Sequence, residues 1–269
     1  MMNKYTVILF FYLFTFFTFL SISGMAQNRI EEKTKLNQIG MAAGNNRGYV
    51  KDLNFSALNY HETGFFYSLD YIRQQRNGKG LLIVDADVSL GKLKTRTSYF
   101  FTSNNTMANL EVAYLRKINL KNLKLETYVG GQFNTYLQIL EWNDYESFSF
   151  VATHGIGLKT IVNFKLNSKN RFQTSLFLPL FQNLVHPPYN GIDETIIGNQ
   201  DNMFKLIISG QPASLNKYLA FDWKLNYSLA FTYRFDWNVS YLVRYQNINE
   251  VNKFVHLQNQ LTTGLTFNF

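Results

Sequence analysis

Residues 219–235 constrain the fold of this chain more than any other stretch. The odd positions are all large and apolar or aromatic: Leu219, Phe221, Trp223, Leu225, Tyr227, Leu229, Phe231, Tyr233 and Phe235. The even positions are small, polar or charged, among them Asp222, Lys224 and Arg234. Because successive side chains of a strand point to opposite faces, this alternation predicts one long strand with an apolar face and a polar face.

The length of this stretch indicates where such a strand belongs. It is much longer than the strands of most globular domains, which have about 5–6 residues. A tilted strand needs only about 9–11 residues to cross a bilayer. The stretch therefore predicts a wall strand of a transmembrane β-barrel with one end beyond the membrane.

Composition excludes several alternatives. The chain has no cysteine, which excludes a disulfide framework, a thiol nucleophile and cysteine metal sites. Aromatic residues make up 17% and charged residues only 16%, and after Ile22 no apolar run approaches the ~20 residues of a membrane helix. Low overall hydropathy combined with alternation is typical of membrane barrels.

The net charge of +8 bears on partners. It predicts attraction to outer-membrane lipid and lipopolysaccharide, and another envelope protein is a further expected partner. The alternative is a basic surface with no dedicated partner. We find no nucleic-acid motif and no phosphate-binding glycine loop, so neither nucleic acid nor a cofactor is expected.

The N-terminal region has the features of a targeting signal. Lys4 precedes an apolar run over 7–22, and Gly24, Met25 and Ala26 form a small-residue cleavage site, which predicts a signal peptide over 1–26. A retained membrane anchor is the alternative. Residues 27–52 are polar, then rich in Gly and Asn, and predict a periplasmic segment or partial plug. An additional strand over 36–43 is also consistent with the sequence.

Residues 53–269 predict an all-β fold, an antiparallel transmembrane β-barrel of about ten strands in meander order. The predicted strands are 53–60, 65–74, 81–91, 107–116, 123–137, 148–165, 171–181, 219–235, 237–246 and 255–269. The connections near 76–80, 118–122, 166–170 and 235–237 are short, whereas those near 92–106, 138–147, 182–217 and 247–254 are longer. Outer-membrane barrels have this asymmetry, with short periplasmic turns and long outer loops.

Alternation does not itself show which face points inward. A soluble β-sandwich or lipocalin-like barrel has the same period with its apolar face inside. Strand length, the density of aromatic residues on one face and the ionisable residues on the other favour the membrane barrel.

The last strand carries a resemblance to a known class. Residues 261–269, Leu-Thr-Thr-Gly-Leu-Thr-Phe-Asn-Phe, place apolar residues at alternate positions and end on an aromatic. This resembles the C-terminal signature of Gram-negative outer-membrane β-barrel proteins, the segment that their assembly machinery recognises. The abundance of Asn, Lys and Phe is similar to that of small barrels of Bacteroidota. The resemblance implies an outer-membrane location and no particular activity.

A ten-stranded barrel has a narrow lumen, since barrels of about eight strands are filled by side chains and water-filled porins need about sixteen strands. The polar face should therefore form an enclosed network of both charge signs. The residues predicted to point inward are Asp70, Asp85, Asp87, Glu111, Lys124, Glu126, Lys159, Asp222, Lys224, Arg234 and Arg244.

Catalysis is the sharper alternative to a structural network. Asp85 and Asp87 share a face and can form a carboxylate pair, which can serve acid–base chemistry. His61 and His186 lie near predicted outer connections and are the candidate histidines. His256 begins the last strand, and His154 is predicted to face outward. No metal-binding spacing is present, because His61 and Glu62 are adjacent and must point to opposite faces.

The connection over 182–217 is the best candidate for specific binding, through His186, Pro187, Pro188 and Tyr189. Two β-like runs at 192–197 and 203–209 predict a hairpin at the outer mouth. If these runs enter the wall, the barrel has twelve strands. A lid without a ligand is the alternative.

These observations favour a non-enzymatic outer-membrane barrel that is structural or that docks a partner. A rim-located hydrolase acting on lipid, lipopolysaccharide or peptide is the second hypothesis. A narrow channel or hydrophobic-ligand conduit is the third.

Overall fold

A computed structural model describes residues 36–95, 102–118, 125–142, 148–187, 202–249 and 252–269. Eleven strands and one short helix occur in these ranges: β1 Asn37–Asp52, β2 Tyr60–Gln74, β3 Gly80–Lys94, β4 Thr102–Ile118, β5 Leu125–Trp142, β6 Phe148–Lys165, β7 Asn170–Val185, α1 Met203–Ile208, β8 Gln211–Ser214, β9 Tyr218–Ala230, β10 Phe235–Ile248 and β11 Phe254–Asn268. No helix in the described part of the chain is long and apolar enough to cross a membrane. The predicted signal peptide over 1–26 lies outside the described residues.

Ten of these strands form a closed antiparallel barrel in sequence order. Each long strand pairs with its sequence neighbours, β7 pairs with β9, and β1 pairs with β11 to close the ring. The four-residue β8 pairs only with the end of β7. The predicted ten-stranded meander is confirmed, and the twelve-stranded alternative is wrong because the ring closes without the long connection. Closure also removes exposed sheet edges.

The first wall strand is not the predicted one. Residues 37–52 form β1 instead of a periplasmic segment or plug, and residues 53–59 connect β1 to β2 instead of forming a strand. The sequence of β1 shows no clear alternation of apolar and polar residues, because small residues occupy much of its lumen face. These are Gly40, Ala42, Gly44 and Gly48. A side chain at Gly44 would clash with the backbone carbonyl oxygen of Leu261 on β11, so close approach of these strands requires glycine.

The strand predicted over 219–235 ends at Ala230. Residues 231–234 form a turn, and Phe235 begins β10. The hydroxyl oxygen of Thr232 accepts hydrogen bonds from the backbone N–H groups of Arg234 (3.2 Å) and Phe235 (3.1 Å), which fixes the turn. Aromatic residues continue with period two through this turn, so alternation alone gives no boundary.

The apolar face of β9 points outward, as predicted. The side chains of Leu219, Trp223 and Leu225 are exposed, whereas Asp222 and Lys224 point into the barrel. The same exterior band contains large apolar residues from every other wall strand, including Met41, Phe65, Leu90, Leu110, Phe133, Ile156, Leu176, Tyr241 and Leu261. Such a surface is compatible with lipid and not with water, which excludes the soluble alternative.

The long connection after β7 differs from the predicted hairpin. Residues 203–208 are the helix α1, and residues 192–197 lie outside the described part of the chain. The helix lies against the outer side of β6 and β7, where the ring of His154 bonds to the carbonyl oxygen of Ile207 at 3.0 Å. Ile207 packs on outward-facing Phe150, Ala152 and Val185. Tertiary packing therefore decides the structure of a run whose apolar residues also suit a strand.

Candidate functional site

The lumen is the region where functional side chains converge, and at the long-loop end it is blocked by apolar residues. Twelve buried side chains form this layer, and Phe55 from the β1–β2 connection inserts between them: Val50, Phe55, Tyr60, Leu93, Leu140, Val151, Leu184, Ala213, Tyr218, Ala220, Ile248 and Phe254. None is more than 5% exposed. The layer separates the interior from the outer mouth.

An ionic cluster lies in the middle of the lumen around Arg244 of β10. Its Nε donates to Asp222 at 3.1 Å, while Nη1 and Nη2 donate to the two carboxylate oxygens of Asp87 at 3.3 and 3.2 Å. The guanidinium carbon lies 5.6 Å from the ring centroid of Tyr136. Two carboxylates on opposite sides of the barrel thus share one buried cation.

A second group of charges adjoins this cluster. Lys159 donates to Glu111 at 3.1 Å, and the amide of Asn109 donates to both Glu111 and Asp87 at 2.9 Å, which links the two groups. Lys224 lies 3.9 Å from Asp85. Side chains from β3, β4, β6, β9 and β10 are therefore held in one network across the lumen.

A buried histidine–carboxylate pair lies between this network and the apolar layer. His256 Nε2 is 3.0 Å from Glu62 Oε2, and neither side chain is exposed. Asn46 and Gln258 donate to Glu62 Oε1 at 2.6 and 3.1 Å. The carboxylate is fully engaged, as a buried charge must be.

A second histidine–carboxylate group lies at the long-loop end. Asp52 Oδ2 accepts a hydrogen bond from Ser149 Oγ at 2.6 Å, while its Oδ1 accepts from the backbone N–H of Asn54 at 2.9 Å and lies 3.4 Å from His186 Nε2. The amide of Asn54 contacts His186 Nε2 at 2.9 Å and donates to the carbonyl oxygen of Pro187. This group joins the ends of β1, β6 and β7.

A second apolar cluster fills part of the lumen at the short-turn end. Leu81, Ile83, Ala113, Leu115, Tyr128 and Ile161 pack together there, with Ile72 against them. The charged network thus lies between the apolar layer at the long-loop end and this smaller apolar cluster. A low-dielectric surrounding strengthens each ion pair and raises the cost of breaking one.

The predicted inward set is largely confirmed. Asp70, Asp85, Asp87, Glu111, Lys159, Asp222, Lys224 and Arg244 all lie on the lumen face. Glu126 pairs with Lys117 at 3.1 Å near the rim. Arg234 is in the exposed turn, so its prediction is wrong, and Lys124 lies outside the described residues.

The structure does not assemble the catalytic candidates. Asp85 and Asp87 share a face as predicted, but each interacts with a different cation. His61 points outward beside Tyr49 and Lys94 on neighbouring strands, because the inward position belongs to Glu62. His186 is buried beside Asp52 at the long-loop end and contacts none of Asp85, Asp87 and His61. Within the described ranges no group of His, Asp or Glu is arranged to hold a metal ion.

Among the predicted binding residues, His186 and Pro187 are buried beside Asn54, while Pro188 and Tyr189 lie outside the described residues. Sequence reasoning missed Asp52, Ser149 and the Glu62–His256 pair. Glu62 and His256 are 194 positions apart, so only barrel closure through β1 brings them together. The one indication in the sequence is that Glu62 lies two residues after Tyr60 and therefore shares its face of the strand.

Comparisons with known proteins agree with this architecture. No family model and no curated protein matches the chain. The outer membrane protease OmpT of Escherichia coli is similar in structure, with a TM-score of 0.53, 7% identity, and coverage of 90% of this chain and 99% of that one. The translocator domain of autotransporter NalP from Neisseria meningitidis has a TM-score of 0.43 at 6% identity, covering 93% and 92% of the two chains. Ail of Yersinia pestis has a TM-score of 0.31 at 9% identity, covering 87% and 99%.

At 7% identity the likeness to OmpT shows the fold alone. The closed ten-stranded ring, the lipid-compatible exterior and the enclosed charges define a transmembrane β-barrel of the Gram-negative outer-membrane class. The bacterial outer membrane is where such a barrel resides. The resemblance to Bacteroidota barrels stays a prediction.

Proposed function

We propose that this barrel is a non-enzymatic component of the cell envelope, structural or docking, whose lumen is closed by its own side chains. The apolar layer at the long-loop end carries the proposal, because nine of the ten long wall strands or their connections contribute buried apolar side chains to it. Water and ions enter such a layer only at high cost.

The test of closure is conductance in planar bilayers. The intact chain is expected to produce no steady single-channel steps. The triple variant L93A/L140A/L184A, which removes apolar volume from the same layer, is expected to conduct. Steady conductance by the unmodified barrel would instead establish the narrow channel.

Docking is the proposed role of the long connection at the outer mouth. His186 and Pro187 fix the start of that connection through Asn54 and Asp52, so the segment that follows is presented from a rigid base. Crosslinking in intact cells is expected to recover one envelope protein with the wild type. H186A should reduce that recovery, whereas H61A should leave it unchanged.

A hydrolase is the second candidate because Asp52, His186 and Ser149 are in contact. Their order, however, places the carboxylate between the serine and the histidine, so no histidine is shown positioned to activate Ser149. The group is also buried. Hydrolysis of fluorogenic peptides or of lipid by the wild type, lost in D52N and S149A, would establish the hydrolase and overturn the leading proposal.

A further inference from the structure

Basic side chains are concentrated at the short-turn end of the barrel. Nine Lys and Arg residues of the described chain occupy this rim, which we term the turn-end collar: Arg73, Arg76, Lys79, Arg116, Lys117, Lys165, Lys169, Arg171 and Arg234. Within the described residues the acidic side chains at this rim are Glu126 and Asp236, and each has a basic partner, Lys117 at 3.1 Å and Arg171 at 3.7 Å.

The long-loop end has a different balance. Exposed lysines occur there too, such as Lys92, Lys94, Lys205 and Lys253. By sequence, however, the connections at that end also include the acidic residues Asp144, Glu146, Asp193, Glu194, Asp201 and Glu250. Basic residues therefore outnumber acidic residues mainly at the short-turn end of the barrel.

Two arginines of the collar point outward, toward the surrounding membrane. Arg73 follows outward-facing Leu69 and Tyr71 along β2, and Arg116 follows outward-facing Val112 and Tyr114 along β4. Both arginines are exposed and continue the lipid-facing rows beyond a tyrosine. Tyrosine is enriched at the headgroup level of membrane proteins, and an arginine one repeat beyond such a tyrosine, towards the rim, reaches the depth of the lipid phosphates.

The turn between β6 and β7 adds a concave surface to the collar. A cavity of ≈ 80 Å³ opens there between Lys165, Lys169, Arg171 and Ser228, with Asp236 also in its lining. Lysine and arginine side chains are the usual partners of phosphate oxygens.

We propose that the turn-end collar binds the anionic phosphate headgroups of phospholipids in the leaflet around it. Each Lys or Arg near an anionic surface contributes about 1 kcal/mol of attraction. The interaction is independent of lumen closure and of docking at the outer mouth, so its failure leaves the proposed function unaffected.

Native mass spectrometry of the full barrel tests this in an equimolar mixture of phosphatidylglycerol and phosphatidylcholine. The wild type is expected to retain phosphatidylglycerol selectively, and R73Q/R116Q/K165Q/K169Q should reduce the retained fraction at least about tenfold. K92Q/K94Q/K205Q/K253Q removes the same charge from the long-loop end and should retain the lipid like the wild type. The charge-conserving variant R73K/R116K should do likewise, which separates charge from folding defects.

Three outcomes would overturn the proposal. One is equal retention of the two lipids by the wild type, and another is equal loss in both quadruple variants. The third is displacement of the lipid by millimolar inorganic phosphate, which would make free phosphate the ligand.

Discussion

At the scale of single residues, Arg244 has the greatest influence on the charge balance of the lumen. It is 2% exposed, and it is the buried cation that bonds to both Asp87 and Asp222. Neither carboxylate can be left charged in a closed lumen without a large desolvation cost. The network therefore depends on this one side chain more than on any exposed ion pair.

Replacing Arg244 with Met is expected to reduce the free energy of unfolding by about 3–5 kcal/mol, because two buried carboxylates lose their cation. Urea unfolding in lipid vesicles measures the change. Arg234, which lies in an exposed turn, supplies the control, and R234M should cost less than about 0.5 kcal/mol. R244M/D87N/D222N should recover much of the loss, and no recovery would contradict the electrostatic explanation.

The buried pair of Glu62 and His256 makes a second prediction at this scale. E62A and H256A each remove the same 3.0 Å contact, so their effects on unfolding should not add. A double-mutant cycle is expected to show a coupling energy of about 0.5–3 kcal/mol. Additivity within experimental error would mean that the contact contributes nothing specific to stability.

At the scale of elements, β5 shows how neighbouring glycines differ. A Cβ at Gly130 would clash with the backbone carbonyl oxygen of Tyr114 on β4, whereas a Cβ at Gly131 would meet open space on the outer surface. Adjacent strand positions point to opposite faces, so one glycine permits close packing and the other only adds exterior surface.

We therefore expect G130A to destabilise the barrel by about 1–3 kcal/mol, because the added methyl group must push two strands apart. G131A should change stability by less than about 0.5 kcal/mol. Thermal unfolding, followed by the heat-dependent migration of folded barrels on SDS gels, compares the two variants directly. Equal effects would contradict the assigned faces of β5.

β9 could be located from sequence because it has a large apolar residue at every second position, and the sequence also predicts β6 at its observed bounds from an outward row that is mostly large and apolar. β1 could not, because half of its lumen-facing residues are Gly or Ala. The helix α1 could not either, since a short apolar run becomes a helix here through contact with Phe150 and Val185. The alternation predicts which ionisable side chains point into the lumen. It does not predict which of them form ion pairs, because that depends on how the barrel closes.

At the scale of the whole molecule, the account requires that the apolar rows face lipid and the charged rows face a closed interior. The two apolar clusters and the network between them then follow from the narrowness of a ten-stranded ring. If the two faces were exchanged, the apolar and aromatic side chains would fill the lumen and the charged side chains would face the hydrocarbon of the membrane. Every functional proposal above depends on this orientation.

The most direct test is site-directed spin labelling along β9 in bilayers, which is feasible because the chain has no cysteine of its own. Single cysteines at successive positions from 219 to 229 would carry the label. Oxygen, which is concentrated in lipid, is expected to reach labels at odd positions such as Leu225, and to reach even positions such as Asn226 poorly. Preferential access of a water-soluble nickel complex to the odd positions, or no alternation at all, would contradict the account.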